Sequence, residues 1–172
     1  YTLLEKLPQL DLEKIDEEPD DFFNEEWKLL IILDACRHDL YESVNGKTDY
    51  KVSPASHSGG FIEENFSDRN FENVVYVTAN PHFHQSIFEE LTGKRAEEVF
   101  HTVFHVYDTD WDDEEGTVMP EDMVKKVKTA ARLFPEKKIV AHFMQPHNPF
   151  IAHEFNERKN FGLLNEDEGG IW

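Results

Sequence analysis

Cysteine occurs once in the 172 residues, at Cys36. A lone thiol excludes an intramolecular disulfide and any zinc site built on paired cysteines, and it fits a reducing compartment. Basic residues are scarce too: Lys plus Arg number 17 against 36 Asp plus Glu, a formal charge of −19. Repulsion from that charge argues against nucleic acid or an anionic membrane surface as the main partner. Long apolar runs are also missing. The longest, Leu29 to Leu33, falls far short of a membrane span, and the N-terminal leucines are interrupted by Glu5, Lys6, Pro8 and Asp11 where an export signal is continuously apolar. A cytoplasmic chain without a membrane span is therefore expected. Neither a Gly-x-x-x-x-Gly-Lys-Ser/Thr loop nor a Gly-x-Gly-x-x-Gly turn is found, which speaks against P-loop or Rossmann nucleotide binding.

What is present is enough apolar mass for a packed interior: 39% of the residues, including 14 Phe. The acidity then belongs to a solvated surface. Such a surface suits a protein adapted to high salt or an ordinary acidic cytoplasmic one, and 12 of the 17 basic residues are Lys. The length suits one domain. Residues 1–27 read as an N-terminal helical, acidic extension and 28–172 as the folded domain. Acidic clusters at Asp16 to Asp21, Asp108 to Glu115 and Glu166 to Glu168 read as loops or exposed termini. The sequence starts without Met and stops at Gly169-Gly170-Ile171-Trp172, so a domain incomplete at its C-terminus is expected.

Short apolar runs of strand type recur at Leu29 to Leu33, Val74 to Val77, Val103 to Val106 and Ile139 to Phe143. Helical patterns fall between them. From Pro120 to Phe134, Met123, Val127, Ala130 and Phe134 recur at spacings of four, three and four; Pro120 suits a first helical position, Glu121 and Asp122 suit the positive end of the dipole, and Pro135 ends the segment. A second helix is predicted over His84 to Leu91, ending at Gly93. Alternating strands and helices predict an α/β fold with a largely parallel sheet flanked by helices.

In such sheets ligands gather beyond the carboxyl ends of the strands. Three places meet that rule. The run Leu29 to Leu33, read as a buried strand, delivers Asp34 at its exit, either as a metal ligand or as a cap for a helix beginning near Arg37. In Ser53-Pro54-Ala55-Ser56-His57-Ser58-Gly59-Gly60, before a helix containing Ile62 and Phe66, a hydroxyl meets partly positive backbone amides. Ser58 is then a candidate nucleophile and metal ligand, or else Ser56 or Ser58 is an N-cap. After the strand Ile139 to Phe143 comes Met144-Gln145-Pro146-His147-Asn148-Pro149, whose two prolines hold His147 ready to meet substrate or protonate a leaving oxygen. His142, within the strand, reads as a satisfied core residue. Arg37 is a candidate contact for an anionic ester.

Taken together, Ile32-Leu33-Asp34-Ala35-Cys36-Arg37-His38-Asp39, Ser53-Pro54-Ala55-Ser56-His57-Ser58 and His142-Phe143-Met144-Gln145-Pro146-His147-Asn148-Pro149-Phe150 resemble the amino-terminal half of a sulfatase-like member of the alkaline phosphatase superfamily, notably its archaeal branch. The resemblance covers about Lys28 to Ile151. It implies an α/β sandwich with a metal site at the strand ends, an Asp at position 34 binding a divalent cation (Zn, Mn, Ca or Mg), and Ser58 attacking phosphorus or sulfur. Ser53 is the alternative register for the attacking residue. It also implies that His147 faces the substrate. Two features depart from the family: the Cys-x-Pro-Ser-Arg motif of authentic sulfatases is missing, and so is the later Asp-His-Gly metal motif, since no Asp is followed directly by His. The expected function is a metal-dependent hydrolase or transferase acting on phosphate or sulfate esters. The alternative is a non-catalytic or truncated sulfatase-like domain that binds an anionic glycan or a partner protein.

Other patterns lead to milder expectations. Asp108-Thr109-Asp110-Trp111-Asp112 opens like a calcium loop but has Asp113 where Gly is required and Met119 where a bidentate Glu belongs, so it reads as a solvated acidic loop. The pairs His82 with His84 and His101 with His105 read as surface or core histidines.

Overall fold

The computed structural model describes residues 17–151. The acidic cluster at 166–168, the expected incompleteness at the C-terminus and the first sixteen residues of the expected N-terminal extension lie outside them. The elements run β1 (Leu29–Leu33), α1 (His38–Asn45), α2 (Ser58–Phe66), β2 (Phe71–Thr78), α3 (Gln85–Thr92), α4 (Ala96–Val99), β3 (Phe100–His105), α5 (Val106–Thr109), β4 (Trp111–Asp112), β5 (Thr117–Val118), α6 (Pro120–Leu133) and β6 (Lys138–Phe143). Four strands form one sheet in the order β1-β6-β2-β3, with every neighbouring pair parallel. The α/β architecture expected from the alternating runs is the one observed. No helix among the described residues is long and apolar enough to cross a membrane.

Helices cover the two sheet faces unequally. The α6 helix begins at Pro120, with Glu121 and Asp122 in its first turn, and turns Met123 and Ala130 into the core over β6 and β2. On the other face, α2 and α3 supply Ile62, Phe66 and Phe88, which pack with Phe71, Tyr76, Phe83 and Phe100. Phe66 is wholly inaccessible; burial on that scale contributes on the order of 2–3 kcal/mol per Phe side chain. Phe23, in the segment read as an extension, also lies in this core, 5.2 Å from the Phe66 ring.

Three local differences from the sequence reading have simple causes. β1 is an edge strand, not a buried one: Leu30 and Ile32 pack against the core, whereas Ile31 is 54% exposed because α6 covers β6 and β2 and leaves that side of β1 bare. The third strand starts at Phe100 and ends at His105, and Val106 opens α5 instead of continuing it. The acidic stretch after Tyr107 is not simply a loop. Trp111 and Asp112 pair antiparallel with Val118 and Thr117, while the Asp112 carboxylate accepts the Glu114 and Glu115 amides and Gly116 turns the chain at φ +66°.

Candidate active site

Parallel strands aim their carboxyl ends at one rim, and β1 delivers Asp34 there. The Asp34 amide donates to the Phe143 carbonyl, which extends the β1–β6 ladder by one residue. The chain then turns sharply through Ala35, a non-glycine residue at φ +57°. Such a left-handed conformation costs an L-residue about 1–2 kcal/mol, so the turn that presents Asp34 is strained. Asp34 caps no helix. The N-cap position of α1 is Arg37, which makes no side-chain capping bond.

Three groups from other parts of the chain face a single oxygen of the Asp34 carboxylate, Oδ2. Ser58, the first residue of α2, donates its hydroxyl at 3.2 Å, and Asn80, two residues beyond β2, donates Nδ2 at 2.9 Å. Nε2 of His142 in β6 lies 3.9 Å away. Oδ1 accepts nothing among the described residues, and the side chain retains 13% exposure. Asn80 is itself fixed: its amide donates to Thr78 Oγ1 at 2.9 Å, and its side-chain oxygen accepts the His82 amide at 2.9 Å and faces His82 Nδ1 at 3.0 Å.

The lone pairs of Ser58 Oγ are not used to cap α2, because another residue does so. His57 accepts the Gly60 amide on Nδ1 at 3.0 Å, so neither Ser56 nor Ser58 is the cap. That leaves the amides of Ser58 and Gly59, at the positive end of the helix dipole, without intrahelical acceptors. Gly60 is needed for the approach: a Cβ there would lie 2.9 Å from Ala55 Cβ and 3.0 Å from His57 Cε1. Ser53, the alternative register for the nucleophile, instead donates to the Ala55 carbonyl at 2.8 Å. It lines a cavity of about 470 Å³ with His38, Tyr50 and the residues leading to Ser56.

The other two candidates stand apart from this cluster. Arg37 is half exposed and clasps Asp39 with two bonds, Nε to Oδ1 at 2.9 Å and Nη2 to Oδ2 at 2.6 Å. This guanidinium holds the Asp39 carboxyl below its usual range. His147 is exposed. Its amide donates to the Met144 carbonyl at 2.8 Å and its Nδ1 to the Asn148 carbonyl at 2.5 Å, and no described hydrogen bond or ion pair joins it to Asp34 or Ser58.

His142 and Asn80 are the site neighbours that the sequence reading missed. His142 is 2% exposed, and desolvation pushes its pKa down to about 4 against an opposing pull from Asp34. Its position within a strand signalled a core residue, and only the register across β1, β6 and β2 puts it beside Asp34. The oxygens of Asp34 and Ser58 suit a hard divalent cation. The described residues hold no cluster of three or more His, Cys, Asp or Glu able to bind a metal, so these two oxygens are a partial donor set. His82 Nδ1 faces the Asn80 side-chain oxygen, and His84 Nδ1 faces the Ser86 hydroxyl at 3.0 Å. Compared with known proteins, the chain matches no family model, no curated protein and no solved structure.

Proposed function

We propose that this chain carries the nucleophile half of a sulfatase-like hydrolase or transferase acting on phosphate or sulfate esters. The observation that carries the reading is the 3.2 Å hydrogen bond from Ser58 Oγ to Asp34 Oδ2 at the start of a helix capped by another residue. Bound this way, the hydroxyl has its proton turned toward a carboxylate and its lone pairs turned away from it, the orientation a nucleophile needs. Attack by Oγ on phosphorus or sulfur forms the new ester bond as the bond to the departing alkoxide breaks; Asp34 Oδ2 is placed to take the hydroxyl proton, and the alkoxide leaves as the alcohol with a proton from water. The Ser58 and Gly59 amides offer the transferring group two donors. Asp34 and Ser58 would hold a divalent cation, whose charge would offset the repulsion between an anionic ester and a chain of charge −19. Arg37 and His147 keep their assignment as substrate contacts in this reading, which also carries the cytoplasmic setting.

The test uses the full chain with generic phosphate monoester, phosphodiester and aryl sulfate substrates, with Zn, Mn, Ca or Mg added in turn and with a chelator as control. Turnover that needs a divalent ion and disappears in Ser58→Ala is expected. Undiminished turnover in Ser58→Ala removes Ser58 from the mechanism. Cation binding without turnover of any ester favours the non-catalytic alternative, a domain binding an anionic glycan or a partner protein.

A further inference from the structure

Beneath Asp34 lies a buried polar pair to which the proposed chemistry assigns no part. Tyr76 of β2 is wholly inaccessible, and its hydroxyl meets His142 Nδ1 at 3.0 Å. The imidazole is enclosed edge-on by Phe61, Tyr76 and Phe83 at centroid distances of 5.8–6.1 Å, and its other nitrogen faces Asp34 Oδ2. We infer that Tyr76 selects the Nε2–H tautomer of His142, making His142 a positioning residue that directs an N–H dipole at Asp34 and helps leave Oδ1 as the free oxygen.

Two arguments fix the direction of the Tyr76 bond. The hydroxyl has no other partner among the described residues, so accepting from Nδ1–H would leave its own proton orphaned in the core, which is unfavourable. That arrangement would also turn the lone pair of Nε2 toward a carboxylate. When Tyr76 donates to Nδ1, its proton is satisfied and Nε2–H faces the negative oxygen. At 3.9 Å the second contact is longer than a hydrogen bond, and it acts through the field of the N–H dipole in a poorly solvated setting. Ser58 and Asn80 bond the same oxygen, so all three groups hold the carboxylate in one orientation.

Long-range ¹H–¹⁵N correlation spectra of the full chain at neutral pH, in the presence of a chelator, test this directly. The expected His142 pattern is the Nε2–H tautomer, giving way to a mixture in Tyr76→Phe. A His142 that carries its proton on Nδ1 overturns the inference, as does a tautomer unchanged in Tyr76→Phe. If that variant does not fold, the wild-type spectrum still decides the tautomer. The consequence for catalysis rests on the proposed function: Tyr76→Phe is expected to lower kcat about tenfold with KM unchanged. Because the spectrum reads the protonated nitrogen whether or not any ester is turned over, failure of the tautomer assignment and failure of the Ser58 assignment are separate results.

Discussion

The hydroxyl of Ser58 donates to Asp34 Oδ2 across 3.2 Å, joining the first residue of α2 to the residue that leaves β1. The bond uses the hydroxyl proton, and because the helix start is served by another side chain the Ser58 oxygen's lone pairs are not taken up in capping. A serine that caps its own helix uses its oxygen to accept amide protons. Ser58 is relieved of that duty by His57 and donates to a carboxylate across the rim of the sheet.

The cap can be tested separately from the chemistry. His57→Ala removes the acceptor for the Gly60 amide and is expected to destabilise the fold by about 1 kcal/mol, read from urea unfolding. His57→Asn, which places a good cap at the same position, should recover most of the loss. Equal destabilisation by Ala and Asn would show that His57 acts through packing.

Strain at Ala35 has the opposite signature. At φ +57°, Ala35→Gly relieves a conformational cost of about 1–2 kcal/mol and adds unfolded-state entropy of about 0.5–1 kcal/mol, so a net stabilisation of up to about 1.5 kcal/mol is expected in thermal or urea unfolding. A loss of stability would mean that the Ala35 methyl group makes packing contacts worth more than the strain.

His142 makes stability depend on pH. Its pKa is depressed, chiefly by desolvation, to about 4 from an ordinary 6.5. Between those values the unfolded chain binds a proton that the folded chain refuses, so stability falls as pH drops through that window. From pH 7 to pH 5 the contribution is roughly 2 kcal/mol. Urea unfolding with a chelator present should show that much more acid sensitivity in the wild type than in His142→Phe, which cannot titrate. Equal sensitivity in the two proteins would refute the coupling.

Much of the scaffold was legible in the sequence because the signals for it are local. The 3.6-residue spacing of Met123, Val127 and Ala130, between Pro120 and Pro135, marked α6 to within one residue. Gly93, at φ +72°, ended α3 where a left-handed C-cap was expected. The run before Asp34 identified the strand, but its five apolar residues said nothing of its edge position, which depends on where α6 packs.

The sequence by itself therefore determined the alternation of strands and helices, and with it the delivery of Asp34 at the end of a strand, since periodicity, capping and chain breaking act over a few residues. Tertiary structure alone decided the company Asp34 keeps. Ser58, Asn80 and His142 face one carboxylate oxygen from other parts of the chain. The order β1-β6-β2 brings His142 and Asn80 to the carboxylate, although β1 is the first described strand in the chain and β6 the last. The cause is parallel pairing, which aligns strand ends distant in sequence and leaves no periodic trace of which neighbours they will meet.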